Sequence, residues 1–220
     1  MVDPVETLAA VLWDMDGTLV DTEPYWIEVE HALVDEFGGT WTHADALALV
    51  GNDLLVSAAY LRDHGSVDLA PEVIVERLLD GVIERVLERV PWQPGAVELL
   101  AELNAVGVPC ALVTMSYERF VAPVLAALPE GTFTAVVTGD AVTVGKPHPE
   151  PYLTAAAVLG VDPRACVAIE DSDTGASSAE AAGCTVLVVP NHVPVAEGER
   201  RFFRDTLVGL DAAALGNLTR

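Results

Sequence analysis

Short unbroken apolar runs alternate along the chain with longer stretches in which apolar residues recur at helical spacing. The runs are LAAVLWD (8–14), PCALVTM (109–115), AVVTG (135–139), CVAIED (166–171) and CTVLVV (184–189). They are continuous rather than alternating, as expected of strands buried on both faces. PGAVELLAELNAVG (94–107), PYLTAAAVLG (151–160) and TGASSAEAAG (174–183) read as helices that end at glycine, the first with Pro94 at its start. Strand and helix in alternation predict an α/β fold, an open parallel sheet with right-handed crossovers.

Residues 22–91 break the alternation. YWIEVEHALVDEFG (25–38), DLLVSAAYLRDHG (53–65) and PEVIVERLLDGVIERVLERV (71–90) have helical patterns, and no convincing strand lies among them. About 70 residues are too many for one crossover helix. A separate helical insert at 22–91 is expected, between core segments 1–21 and 92–220. Its hinges are DTEP (21–24) and PWQPG (91–95), proline-bearing segments of the kind that mark boundaries.

The strand ends carry the chemistry. In open α/β sheets ligands sit outside the carboxyl ends of the strands, near the point where strand order reverses. The first run stops at Asp14 and Asp16, followed by Gly17. The second stops at Thr114, Met115 and Ser116, the third leads to Gly145-Lys146-Pro147, and the fourth stops at Glu170, Asp171 and Ser172. Each alone reads as an ordinary polar strand end, and Asp-Gly as a turn. Together they form a set of four carboxylates, a hydroxyl and an ammonium. Converging carboxylates suit a hard cation such as Mg²⁺, and a lysine beside a hydroxyl suits an anion such as phosphate. A metal, an anion site and a spare carboxylate are the parts of phosphoryl transfer through a covalent aspartyl intermediate. No GxxxxGK[ST] loop is present, so P-loop nucleotide hydrolysis is not indicated.

Composition narrows the partners. With 34 acidic against 11 basic residues the net charge is −23, which argues against nucleic acid or an anionic membrane as a partner. The acidic surface is compatible with a monomer. No apolar run reaches the roughly 18–20 residues that a membrane-spanning helix needs, and the first residues lack the pattern of a signal peptide. Cys110, Cys166 and Cys184 sit in apolar segments without metal-like spacing and suit packing in a reducing cytoplasm. Lys146 is the only lysine in the chain.

DMDGT (14–18), VTMS (113–116), GKPHPEPY (145–152) and EDSDTGASSAEAAG (170–183) resemble, in order, the four motifs of the haloacid dehalogenase-like (HAD) superfamily. The insert after the first motif resembles that of members with an α-helical cap, among them sugar-phosphate phosphatases and β-phosphoglucomutase. The resemblance implies a Rossmann-like parallel sheet with helices on both faces and a cap inserted after the first strand. It further implies Asp14 as nucleophile and Asp16 as general acid and then base, a role helped by neighbouring carboxylates that keep it protonated near neutral pH. Mg²⁺ would be held by Asp14, the backbone carbonyl of Asp16, and Asp171. Thr114 and Lys146 would hold the phosphoryl oxygens, with Glu170 in support as an outer-shell group or a ligand through water.

The substrate implied is a small phosphorylated metabolite, a sugar or polyol phosphate, and the protein cytoplasmic. The cap loop Gly51-Asn52-Asp53 has no cation before Arg62, which disfavours a phosphomutase that must grip a second phosphate. Tyr25-Trp26 stands where mutase-like members carry a histidine. The insert has no lysine for Schiff-base chemistry, and Asp16 sets the chain apart from the dehalogenases. The alternatives are a β-phosphoglucomutase-like mutase and a catalytically silent binding protein, although no expected catalytic group is missing. His148 and His192 read as solvated loop histidines, and Trp13 and Met15 as facing the core and the pocket edge.

Overall fold

The computed structural model describes residues 8–49 and 54–219. The described residues divide into two compact units, one running through Asp21 and resuming at Trp92, the other Thr22–Pro91.

The first unit is built on six parallel strands: β1 (Ala10–Trp13), β2 (Cys110–Val113), β3 (Ala135–Val137), β4 (Cys166–Glu170), β5 (Thr185–Val188) and β6 (Arg201–Phe203). Their spatial order is β3-β2-β1-β4-β5-β6. The chain starts at the centre, builds outward on one side, and returns to build the other. Strand order therefore reverses between β1 and β4, where a ligand site is expected. β1, β2, β4 and β5 are buried along their whole length, which is why their sequences are unbroken apolar runs. β6 is a sixth strand beyond the five expected. It begins at an arginine and is partly exposed, so it offers no apolar run to find.

The second unit holds α1 (Glu23–Glu36), α2 (His43–Leu47), α3 (Leu54–His64) and α4 (Pro71–Glu88), with no strand among its described residues. α4 buries Ile74, Val75, Leu78, Leu79, Val82 and Val86, the stripe of a long amphipathic helix. It lies against α1, where a side chain at Gly81 would bring its Cβ to 2.8 Å from Val29. The brief α2 is set by a capping box. The Asp45 N–H donates to Thr42 Oγ1 at 3.2 Å, and the Thr42 N–H donates to Asp45 Oδ2 at 2.9 Å. The segment Gly51-Asn52-Asp53 lies outside the described residues.

Five helices complete the sheet unit: α5 (Ala96–Ala105), α6 (Glu118–Ala126), α7 (Glu150–Leu159), α8 (Asp173–Ala182) and α9 (Ala212–Gly216). α5 starts at Ala96, with Gly95 as its N-cap, two residues beyond the expected start at Pro94. On one face of the sheet Ala10, Leu12, Ala111, Val113, Ala168 and Val186 meet Tyr152 and Ala155 of α7 and Ala176 and Ala179 of α8. The small residues let both helices settle close to the strands, which brings the α8 N-terminus and the loop before α7 to the carboxyl edge. Among the described residues no helix is long and apolar enough to cross a membrane.

Candidate active site

The sheet register aligns the polar strand ends. Trp13 of β1 is level with Leu112 of β2 and Ile169 of β4, so Asp14, Thr114 and Glu170 emerge together at one edge. Asp14 is tied there by its N–H, which donates to the Ile169 carbonyl at 3.0 Å. The chain then doubles back tightly, with the N–H groups of Leu19 and Val20 donating to the Met15 carbonyl at 2.8 and 3.0 Å. Gly17 makes this turn at φ +88°, and a Cβ there would lie 2.6 Å from Asp171 Cγ and overlap the carboxylate itself. Glycine is required twice over, for the backbone conformation and for the approach of Asp171. Trp13 and Met15, on either side of Asp14, are both fully buried.

Lys146 arrives from the loop after β3 and places its ammonium among the strand ends. Nζ donates to Asp14 Oδ1 at 2.6 Å, to Glu170 Oε1 at 2.7 Å and to the Val113 carbonyl at 2.9 Å. All three of its protons are used. Its loop is fixed from two sides. The Lys146 N–H donates to Met115 Sδ at 3.2 Å, and Ser178 Oγ of α8 donates to the His148 carbonyl at 2.6 Å.

Glu170 is fully buried and carries three donors. Oε1 accepts from Lys146 and from the Tyr152 hydroxyl at 2.5 Å, while Oε2 accepts from Ser172 Oγ at 3.2 Å. Ser172 is also the N-cap of α8, accepting from the Gly175 N–H at 3.1 Å. A side chain at Gly175 would collide with the Glu170 carboxylate. Asp171 has the longest contact of the group, accepting from Thr18 Oγ1 at 3.5 Å. Asp16 is half-buried; its Oδ2 accepts from Ser116 Oγ at 2.6 Å and faces Thr114 Oγ1 at 3.4 Å. Thr114 Oγ1 in turn accepts from the Ser116 N–H at 3.0 Å.

The structure thus brings Asp14, Lys146, Glu170 and Asp171 into one cluster, with Asp16 and Thr114 paired beside it through Ser116. Tyr152 and Ser116 join the site without having been singled out as site residues in the sequence. Tyr152 lies in an apolar helix where an aromatic reads as core, and Ser116 was legible only as one more polar residue at a strand end. His192 departs from the sequence reading. It is not merely solvated, because Nε2 lies 2.7 Å from Asp21 Oδ1, an oxygen that also accepts from Asn191 Nδ2 at 3.2 Å. Contacts between residues 171 positions apart leave no local trace. His148 is exposed, and its Nδ1 accepts from the Glu150 N–H at 3.3 Å.

Charge is unbalanced here. Burial pushes the Asp14 carboxyl up to about 7, Lys146 pulls it down, and Glu170 and Asp16 add to the rise. Asp171 goes up to about 9 through burial, then through the charges of Asp14 and Glu170. Burial works against the charge of Lys146, but Asp14 and Glu170 together outweigh it and hold the ammonium above its ordinary range. One oxygen from each of Asp14, Glu170 and Asp171 lies within 4.8 Å of the others. Three buried carboxylates around one ammonium leave an excess of negative charge that suits a hard divalent cation. Since Glu170 is already occupied by Lys146, Tyr152 and Ser172, the carboxylates best able to face such a cation are Asp14 and Asp171.

Known proteins resemble this chain in sequence and in fold. Residues 8–183 match the family model for haloacid dehalogenase-like hydrolases. Hexitol phosphatase B of Escherichia coli K12 is 34% identical over 224 residues, spanning 100% of this chain and 97% of the relative. A fructose-1-phosphate phosphatase of the same organism is 31% identical over 81% of this chain and 94% of its own. The crystal structure of CbbY from Rhodobacter sphaeroides in complex with phosphate superposes with a TM-score of 0.83 at 25% identity, covering 94% of this chain and 99% of that one. The family match covers all four strand-end clusters and hexitol phosphatase B aligns along the whole chain, so the chain belongs to the haloacid dehalogenase-like hydrolase family.

Proposed function

We propose that this hydrolase is a Mg²⁺-dependent phosphatase that releases phosphate from a small phosphorylated sugar or polyol. The observation that carries the reading is the Lys146 ammonium, 2.6 Å from Asp14 Oδ1 and at the edge of the Asp14–Glu170–Asp171 cluster. A carboxylate beside a fixed cation is the arrangement needed to bring a nucleophile against a dianionic phosphoryl group.

In this reading Asp14 attacks phosphorus and becomes an aspartyl phosphate. Asp16, two residues further on, gives a proton to the departing alcohol and takes one from the water that hydrolyses the intermediate. Lys146, by turning toward the substrate the proton it gives Asp14 Oδ1, and Thr114 hold the phosphoryl oxygens. Asp14, the Asp16 carbonyl and Asp171 would hold Mg²⁺, and Glu170 keeps Lys146 in place. Bound Mg²⁺ would offset the carboxylate charge, keep Asp14 ionised and polarise a phosphoryl oxygen. The helical unit of Thr22–Pro91 serves as the cap that selects the leaving group. The hexitol and fructose-1-phosphate phosphatases among the relatives support a sugar or polyol phosphate, and the phosphate bound to CbbY supports a phosphoryl site. Three free, buried cysteines fit a cytoplasmic setting.

The test is phosphate release from a panel of sugar and polyol monophosphates, with and without Mg²⁺, beside the Asp14→Asn and Asp16→Ala variants. Release that needs Mg²⁺ and is lost in both variants is expected. Turnover that survives Asp14→Asn would remove the covalent route. Interconversion of sugar phosphates on adding a bisphosphate, with no net release, would replace the phosphatase by a mutase.

A further inference from the structure

We propose that Tyr152 is a positioning residue of this active site: its buried hydroxyl anchors Glu170 so that the Lys146 ammonium stays aimed at Asp14. The proposal rests on the reading above, in which Lys146 grips the phosphoryl group.

Tyr152 touches both partners of the ion pair. Its hydroxyl donates to Glu170 Oε1 at 2.5 Å, the short O–H···O⁻ bond expected of a charged acceptor. The same oxygen takes Lys146 Nζ at 2.7 Å. The ammonium also lies over the tyrosine ring, 5.1 Å from its centroid, within reach of a cation–π attraction. Tyr152 is fully buried, and phenylalanine would fill the same volume without burying a polar atom. A buried hydroxyl is tolerated only where it is hydrogen-bonded, and here its acceptor is the carboxylate that shares Lys146 with Asp14. Burial, and then the charges of Glu170 and Asp14, raise the phenol well above its ordinary range, so it remains a donor.

The consequence follows from counting donors. Lys146 divides three N–H groups among Asp14, Glu170 and the Val113 carbonyl. Glu170 Oε1 divides its accepting capacity between Lys146 and Tyr152. With the hydroxyl gone, Lys146 is the only remaining donor to that oxygen among these contacts. The Lys146–Glu170 pair then tightens, and the ammonium shifts away from Asp14 and the phosphoryl oxygens. The Glu170 carboxylate is seated in the space that a side chain at Gly175 would fill, packed against the first turn of α8.

The variant is Tyr152→Phe, measured as the whole chain. The readouts are the affinity of the Mg²⁺-loaded protein for inorganic phosphate and the affinity for Mg²⁺ alone, both by calorimetry, kcat and KM on p-nitrophenyl phosphate, and the melting temperature. Phosphate affinity and kcat should each fall about tenfold, the loss expected for one hydrogen bond to a charged group. Mg²⁺ affinity, read alone by calorimetry, should change by less than about twofold, because the hydroxyl faces Glu170 rather than Asp171. In a Glu170→Gln background the same change should cost less than about twofold, since the group it acts through has been altered. A Tyr152→Phe protein with wild-type phosphate affinity and kcat, whatever its melting temperature, overturns the proposal. So does full additivity with Glu170→Gln. Failure of the wild type itself to bind phosphate would instead bring down the phosphatase reading, and the role of Tyr152 with it.

Discussion

Glu30 makes the helical unit a pH-dependent element, and replacing it with glutamine should stabilise the protein above neutral pH. The carboxyl sits in α1 with 5% of its surface exposed, and accepts from Trp41 Nε1 at 3.3 Å. Burial pushes it from an ordinary 4.5 up to about 8; the Trp41 bond opposes the rise and Glu23 adds to it. The unfolded chain releases this proton near pH 4.5, while the folded chain keeps it to about pH 8. In that window the native state binds more protons, so stability falls as pH rises, by about 1.4 kcal/mol per pH unit. The loss reaches about 3 kcal/mol at pH 7 and about 4 kcal/mol at pH 8, and levels off near about 5 kcal/mol above that. Glu30→Gln keeps the shape and the acceptor for Trp41 but cannot ionise. Urea unfolding of both proteins at about pH 5, 6, 7 and 8 should show near-equal stability at the acid end and a growing advantage for the variant above it. The active-site carboxylates are common to both chains and cancel in the difference. A difference that stays constant with pH would refute the reasoning.

Gly17→Ala combines a φ of +88° with a Cβ 2.6 Å from Asp171 Cγ; it should destabilise by about 2–4 kcal/mol in denaturant unfolding and weaken Mg²⁺ binding in calorimetry. Arg201→Met removes a guanidinium that is 7% exposed and binds Asp173 at 2.6 Å and Glu180 at 2.8 Å; a loss of about 1–3 kcal/mol is expected, discounted because Asp173 is itself exposed. Asp14 and Asp171 keep protons to about 7 and about 9, against 3.8 for an ordinary aspartate. Without metal, stability should therefore fall as pH rises through that window. The melting-temperature gain from Mg²⁺ should grow between about pH 6 and 8.5, with proton release seen in calorimetry across buffers. Lys146→Arg keeps the charge and should still abolish most phosphate release, a loss of about a hundredfold or more in kcat.

What could be read from the sequence depended on how local the physics is. The central strands declared themselves because burial on both faces demands an unbroken apolar run, and α4 because its stripe extends over 18 residues. β6 did not, since an edge strand that opens on Arg201 and stays partly exposed carries no such demand. α2 is held by the Thr42–Asp45 box rather than by periodicity, and α6 carries Pro123 inside it, so neither has a clean helical signature. The carboxylates and Lys146 were legible as strand-end chemistry. Their division of labour was not, because it depends on which oxygen meets which donor: Glu170 satisfied by Tyr152 and Ser172, Asp16 by Ser116. The Asp21–His192 contact depends on tertiary proximity alone.

A single lysine among eleven basic residues also has a physical reason to be lysine. Its ammonium must fit between two carboxylates and a strand carbonyl, at 2.6, 2.7 and 2.9 Å, in a site where its side chain is 5% exposed. A tetrahedral group with three diverging donors can meet those three acceptors, which lie on different strands. A planar guanidinium places its donors in one plane and is wider, so it could satisfy one carboxylate in bidentate fashion only by leaving the Val113 carbonyl or the second carboxylate behind. Elsewhere arginine serves well, as at Arg201, where a planar fork spans Asp173, Ser177 and Glu180 along one face of α8. The shape of each anion cluster therefore selects its cation. A composition bias toward arginine would stop at the one position where three acceptors converge from separate strands on a single point.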